Sequence, residues 1–459
     1  MQNSSSIAPY KWLILLAVGI GTFMTALDSS VVNVILPVAR AALHSDFAST
    51  EWVVTIYLLV LSGLLLSFGR LGDLYGHKAV YMAGFLVFVA SSMFCGLARD
   101  VGVLVAFRAL QALGAAMLAA NSPAILTGNF PPGQRGQVLG LSATMTYLGL
   151  VTGPSLGGWL AHAFGWQAVF YINVPVGALA LALSWAFIPN DRQTPANEFF
   201  DLPGAATFTV GLSALLLALN QGHAWGWISP AVIGLFLLAL LALGGFIWLE
   251  RRAASPMLDL SLFQRPVFSL TVLSAILNYI CVYSIIFLMP QYFLDGRGLD
   301  SAHAGLLLSS QALVMAIVAP ISGSLSDRLG TRWPAALGMG ILALGAWLLS
   351  AVSAVSPLEL AVAGLVVVGL GTGIFISPNN SALMGSAPRH RQGIAAGTLA
   401  TARSFGMVLG AGLSGAVFTT ILAQSAAQGI FTAVRVSFWA AGGVAALGML
   451  TSLVRENVG

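Results

Sequence analysis

The chain has 459 residues, of which 58% are apolar and only 7% charged, with a formal net charge of +4 and a mean hydropathy of +0.90. Soluble domains carry about 25% charged residues, so this composition leaves too little polar surface for water and makes lipid the fitting solvent. Its few, scattered basic residues argue against a nucleic-acid surface, and Cys95 and Cys281, both in apolar runs, read as packing residues rather than a disulfide or metal pair.

A helix crosses the hydrocarbon in about 20 apolar residues. Windows of that size predict fourteen spans, starting near Trp12, Glu51, Ala79, Val101, Gly136, Gln167, Leu202, Ile228, Pro266, Ala302, Trp333, Pro357, Gln392 and Ala433. The first run is longer than the roughly 7–15 apolar residues of a cleavable signal and reads as a retained span that ends at Pro37, with an external segment up to Glu51. Without the spans at Leu202 and Ile228 the count is twelve, in the same orientation.

An even count puts both termini on one side. One set of ends and loops holds thirteen basic residues and the other four, with Arg108 and Arg403 inside spans, which accounts for the 19. By the positive-inside rule the termini are cytoplasmic. The longest polar stretches, Pro189–Asp201 and Arg251–Arg265, are too short for a separate domain.

Gly69-Arg70-Leu-Gly-Asp73-Leu-Tyr-Gly76-His-Lys78, between spans 2 and 3, is matched by Gly323-Ser-Leu-Ser-Asp327-Arg328-Leu-Gly330-Thr-Arg332, between spans 10 and 11, at an offset of 254. Gly149-x-x-x-Gly153 in span 5 is echoed by Gly406-x-x-x-Gly410 in span 13. The expected organisation is therefore two related six-helix bundles, residues 1–190 and 251–459, with two inserted helices in 191–250. Such internal repeats are the architecture of secondary transporters.

Of the 15 acidic residues only Asp28 lies well inside a span. A membrane carboxylate is costly and is a functional candidate by default. Burial raises its pKa and a nearby cation lowers it, so in alternating surroundings it can take up and release a proton; a structural, hydrogen-bonding Asp is the bland alternative. Asp28 lies nine residues before Pro37, about 13 Å below the outer end of its helix, and Arg108 lies seven after Val101, about 10 Å below the outer end of helix 4. The two can pair if those helices are neighbours. Arg403, near mid-depth, has no acidic partner in the membrane by this count; helix-end carbonyls and an anionic part of a solute remain open as its partners. Arg70, Asp73 and Lys78, with Asp327, Arg328 and Arg332 in the second copy, suggest a cytoplasmic gate bridging helix ends, turned at Gly69 and Gly76.

Gly149, Gly153, Gly157 and Gly158, with Pro154 among them, form a small-residue side of helix 5 that permits close packing and a bend. Asn33, Tyr57, Gln111, Asn121, Tyr147, Asn278, Tyr283, Gln311, Asn379, Asn380 and Arg403 are candidates for a weakly polar solute cavity. No nucleotide-binding loop, zinc-protease helix or nucleophile elbow occurs, so no cofactor is expected and a proton gradient is the expected energy source.

These motifs resemble the major facilitator superfamily, and within it the fourteen-span drug:proton antiporters (EmrB/QacA-like). Gly69–Lys78 is similar to the superfamily signature between helices 2 and 3. Arg108-x-x-Gln111-x-x-Gly114 resembles the helix 4 motif, with Ala112 where Gly is usual. Gly149–Gly158 resembles the helix 5 antiporter motif, Leu27–Pro37 the drug exporters' helix 1 motif, and Trp166–Gly177 a segment typical of the fourteen-span branch. The resemblance implies an all-α major facilitator fold in a plasma membrane, in the bacterial case the inner one. It implies a non-enzymatic carrier that works as a monomer and exports amphipathic or cationic organic compounds against protons, with Arg108 implicated in proton transfer. The further membrane acids that serve divalent cations in some members are missing here, which argues against multivalent substrates. Rival readings are an exporter of a dedicated metabolite or lipid-like molecule and, in another class, a non-transporting receptor or scaffold.

Overall fold

In lipid every backbone N–H and C=O must be satisfied within its own segment, and a chain of long apolar runs meets that demand by becoming helical. The computed structural model describes residues 10–190, 198–253, 255–424 and 429–455, so part of the Pro189–Asp201 stretch and the chain ends lie outside the described residues. In order the helices are α1 (Lys11–Ala42), α2 (Phe47–Tyr75), α3 (His77–Gly96), α4 (Val101–Asn129), α5 (Arg135–Phe164), α6 (Ala168–Tyr171), α7 (Asn173–Phe187), α8 (Leu202–Trp225), α9 (Pro230–Glu250), α10 (Pro266–Gln291), α11 (Ser301–Leu329), α12 (Arg332–Leu349), α13 (Leu358–Ser386), α14 (Gln392–Gln424) and α15 (Gly429–Val454). No strand occurs among the described residues. Among the described residues thirteen helices, α6 and α7 counting as one, are long and apolar enough to cross a membrane. The glycine-rich, 30-residue α5 is long enough to be the fourteenth.

One expectation fails at Pro37. α1 does not stop there but continues through it to Ala42, with Pro37 inside the helix. Proline removes a single backbone donor, and a long helix held on both sides of it tolerates that loss.

The chain divides into two compact units. The first comprises residues 1–213, 241–260 and 387–401, and the second residues 214–240, 261–386 and 402–459. In unit 1, α1 lies against α5 through glycines. A Cβ on Gly149 would stand 2.6 Å from the Phe23 carbonyl oxygen, and one on Gly157 would stand 2.9 Å from Val31 Cγ1. Gly158, by contrast, has open space beside it and takes no part in this contact. The Ser30 hydroxyl donates to the Gly149 carbonyl oxygen at 3.3 Å.

Unit 2 builds the same contact between α10 and α14. A Cβ on Gly406 would stand 2.7 Å from the Ile276 carbonyl oxygen, and the Ser284 hydroxyl donates to the Gly410 carbonyl oxygen at 3.3 Å. Ser30 and Ser284 are 254 residues apart, the offset of the loop repeat. Gly76 and Gly330 share that offset and a left-handed backbone, with φ of 95° and 82°, which a side chain would strain. So do Asp46 and Asp300, each of which accepts a backbone N–H three residues on, from Ser49 and His303, and so starts its helix. The Ser49 bond holds the exposed Asp46 carboxyl below the usual carboxylate range.

At the end of α15, Arg455 is fully buried and donates to the Thr331 carbonyl oxygen at 2.7 Å, to Asn379 Oδ1 at 2.8 Å and to the Thr271 hydroxyl. It thereby ties the ends of α10, α12, α13 and α15. Loss of water lowers its guanidinium to about 10.

The α1–α5 contact leaves no room for a side chain, so overpacking there should cost roughly 1–3 kcal/mol. Gly149→Val is expected to lower the thermal unfolding midpoint of the detergent-purified protein, whereas Gly158→Val should leave it unchanged. Equal midpoints for the two variants would contradict the packing.

Candidate functional site

The polar centre of unit 1 lies where α1, α3, α4 and α7 converge. Asp28 is 1% exposed, deep among the helices and away from both water and lipid. Arg108 NH1 donates to Asp28 Oδ2 at 2.7 Å, while Gln111 Nε2 and Asn173 Nδ2 each donate to Oδ1 at 2.9 Å. Arg108 NH1 also donates to Gln111 Oε1 at 2.6 Å, and its Nε donates to the Val53 carbonyl oxygen. The Tyr57 ring lies 4.1 Å beneath the guanidinium carbon, a cation–π contact in a water-free place.

A second layer fixes the amides. Ser92 Oγ accepts from both Gln111 Nε2 and Asn173 Nδ2 and donates to the Phe170 carbonyl oxygen at 3.0 Å. Asn173 reaches the site because the chain breaks step between α6 and α7, which places it first in α7. Each of these three partners of Asp28 is a donor, so the shell is complementary to a carboxylate, and the Asp28–Arg108 charges cancel inside the bundle. A protonated Asp28 would have no acceptor in this arrangement unless the Gln111 amide turned over, and that turn would bring its N–H groups against those of Arg108.

At the α2–α3 turn, Asp73 Oδ1 and Oδ2 accept the backbone N–H groups of Gly393 and Ile394 at 2.7 and 2.8 Å. Those are the first free donors of α14, where a carboxylate complements the helix dipole. His77 Nε2 lies 3.5 Å from Asp73, and Gly69 meets the Gly393 backbone directly. Arg70, 1% exposed, donates to Glu198 at 2.6 Å, and Glu198 also accepts from Arg391. Lys78 donates to the Trp185 carbonyl oxygen. In unit 2, Arg328 is exposed and Arg332 lies 5.6 Å from the Trp333 ring centre; Asp327, at the end of α11, is half-buried.

Several residues expected in a solute cavity are placed otherwise. Gln111 and Tyr57 belong to the Asp28 cluster. Asn121, fully buried, donates to the Phe68 and Met117 carbonyls and meets His77. Asn278 meets Met339 sulfur, and Asn379 meets Arg455 and the Thr271 carbonyl. These three are buried between helices, because a polar amide in an apolar run finds backbone or side-chain partners before it finds a cavity. Tyr147 and Gln311 are also buried, Tyr283 and Asn380 are half-buried and Asn33 is exposed. An open groove of about 600 Å³ on α1 and α5 is lined by Phe23, Val151, Thr152, Ser155, Leu156 and Trp159, none of them among those candidates. In this state both carboxylate oxygens of Asp28 are engaged by donors.

A profile described as the Major Facilitator Superfamily matches residues 18–270 and 271–458. The chain belongs to the major facilitator superfamily. It is 31% identical to the riboflavin transporter RibZ of Clostridioides difficile (strain 630), over 96% of this chain and 97% of that protein. It is 33% identical to the multidrug resistance protein Stp of Mycobacterium tuberculosis (strain CDC 1551 / Oshkosh), over 90% and 77%. The human organic anion transporter MFSD10 superposes with a TM-score of 0.70 at 16% identity, covering 97% of this chain and all of that one. The superfamily member is thus a multi-pass carrier rather than an enzyme.

Removing one partner of a buried ion pair strands the other, at a cost of about 3–5 kcal/mol. Arg108→Ala should therefore destabilise the detergent-purified protein strongly, and adding Asp28→Asn to it should restore much of the lost thermal midpoint. If the double variant melts lower than Arg108→Ala, the pair is not the balanced charge system described.

Proposed function

We propose that the chain is a proton-coupled antiporter of the fourteen-span drug exporter branch, which moves amphipathic organic compounds out of the cell by alternating access. The observation that carries this reading is the Asp28–Arg108 pair, a titratable carboxylate sealed inside a bundle and satisfied by donors alone. A proton arriving at Asp28 removes the charge that holds Arg108 and leaves an O–H facing N–H groups. The bundle must then rearrange, and that obligation is what couples proton uptake to movement. Release of the proton to the other side restores the pair.

The Asp73 contact supplies a cytoplasmic latch in this reading. It grips the first turn of α14 within unit 1, and freeing that turn accompanies the change of access. The glycine contact of α1 with α5 seals the bundle against leak. The setting is a cell membrane, with cytoplasmic termini and a functional monomer.

A second reading, an exporter of one dedicated metabolite, is favoured by a matter of length. The chain spans 97% of the riboflavin transporter but 77% of the multidrug resistance protein. A panel containing riboflavin, ethidium and rhodamine 123 separates the two by breadth of uptake.

With purified protein in liposomes, an imposed pH gradient should drive accumulation of a panel member by the wild type. Asp28→Asn should lose that gradient-driven accumulation by at least tenfold while retaining solute-for-solute exchange. Gradient-driven accumulation that survives the substitution intact would rule out coupling through Asp28.

A further inference from the structure

Unit 2 carries its own mid-helix charge, and the two repeats differ in it. In unit 1 the cation Arg108 is neutralised. In unit 2, Arg403 on α14 forms no salt bridge among the described residues, and the acids of that unit, Asp295, Asp300, Asp327, Glu359 and Glu456, all lie at or beyond helix ends in the sequence. Arg403 is the twelfth residue of α14, roughly 17 Å along the helix from its start, so it stands well within the hydrocarbon. An uncompensated cation at such a depth is costly and is kept for a purpose.

Its surroundings are specific. Arg403 is half-buried and donates to the hydroxyl of Tyr279 on α10. Its charge acts on Tyr283 one helical turn further along, and its Nε is buried with no acceptor among the described residues. The glycine contact makes this approach possible. Gly406, one turn beyond Arg403, brings α14 so near α10 that a Cβ there would stand 2.8 Å from Tyr279 Cβ. Two phenol rings, a planar cation and an unused N–H direction together offer charge, hydrogen bonds and aromatic faces in one place. What is missing is an anion.

We infer that Arg403, Tyr279 and Tyr283 form a substrate subsite for the anionic group of an aromatic compound, a carboxylate or phenolate attached to a flat ring system. The inference rests on the transport reading above and names the substrate class for it. The guanidinium pairs the acidic group, Nε supplies the second prong of a two-bond contact, and the tyrosines flank the ring. The site lies wholly within unit 2, apart from the proton-coupling cluster of unit 1, so binding and coupling can be lost separately.

The test uses two xanthene dyes of similar size and opposite charge, fluorescein and rhodamine 123. Equilibrium binding to the detergent-purified full chain is read by fluorescence anisotropy at fixed pH, with no gradient present. The wild type should bind fluorescein more tightly. Arg403→Gln should raise the Kd for fluorescein at least tenfold and change that for rhodamine 123 less than threefold. Arg403→Lys, which keeps the charge without the planar fork, should fall between. Tyr279→Phe should weaken fluorescein about threefold, and with Arg403→Lys it decides the matter if Arg403→Gln does not fold.

Equal weakening of both dyes, tighter binding of rhodamine 123 by the wild type, or no binding of fluorescein would each overturn the inference. Because the assay holds no gradient, its failure leaves the Asp28 coupling experiment unaffected. A failure of coupling in liposomes with the dye preference intact would remove the proton mechanism and leave the subsite standing.

Discussion

The structure turns on the neutralisation of one buried carboxylate. A lone ion in a low-dielectric interior loses several kcal/mol of hydration, and only a close partner with further hydrogen bonds repays it. Asp28 has both: one cation at 2.7 Å and two amides at 2.9 Å, the amides themselves aligned by Ser92. Four helices contribute to that balance, so the relative positions of α1, α3, α4 and α7 are tied to the charge state of a single side chain. A satisfied shell of this kind makes a two-state element, because it favours one protonation state and penalises intermediate geometries.

The repeat shows what each half of the chain has kept and what it has changed. The serine that reaches across the glycine contact, the left-handed glycine after the second helix and the aspartate cap before it all recur at one spacing, because each is dictated by backbone geometry that both bundles share. The ionisable residues deep inside the spans do not recur. At the offset of 254, Asp28 corresponds to Val282, and unit 2 places its charge on α14 instead. Packing geometry leaves few substitutes for glycine where two backbones touch, while a charged side chain is free to change wherever the solute or the proton requires it.

The helix starts were legible because a run of about 20 apolar residues has few alternatives in lipid; every expected start falls within four residues of the observed one. Asp28 stood out because hydrocarbon makes a carboxylate conspicuous. Pro37 misled, since a proline signals a stop only in a helix with nothing to hold its far side. Three of the cavity candidates misled for a related reason. An asparagine in an apolar run advertises a hydrogen bond but not its partner, and Asn121, Asn278 and Asn379 found theirs in neighbouring helices. Asn173 sat inside a quoted motif, yet its role depends on the step between α6 and α7, which no periodicity reveals. Glu198 bridges Arg70, 128 residues before it, and Arg391, 193 residues after it, distances over which spacing carries no signal.

The two carboxylates of unit 1 that matter most are held in opposite ways, and the difference bears on how motion starts. Asp28 is locked by a side-chain cation on a neighbouring helix, a bond whose strength depends on the charge of both partners. Asp73 is locked by the backbone of α14, whose N–H groups carry no titratable proton and cannot be switched off. Protonation of Asp28 therefore weakens the first lock directly, and it can reach the second only by moving helices. Gln111 and Asn121, both on α4, belong to the two regions in turn: Gln111 touches Asp28, and Asn121 meets His77, which lies beside Asp73. The two lie ten positions apart, about 15 Å along the axis. α2, through Val53 and Tyr57 at one end and Asp73 at the other, and α3, through Ser92 and His77, contact both clusters as well, and a shift of these three helices is the shortest physical route by which a proton at one carboxylate is felt at the other.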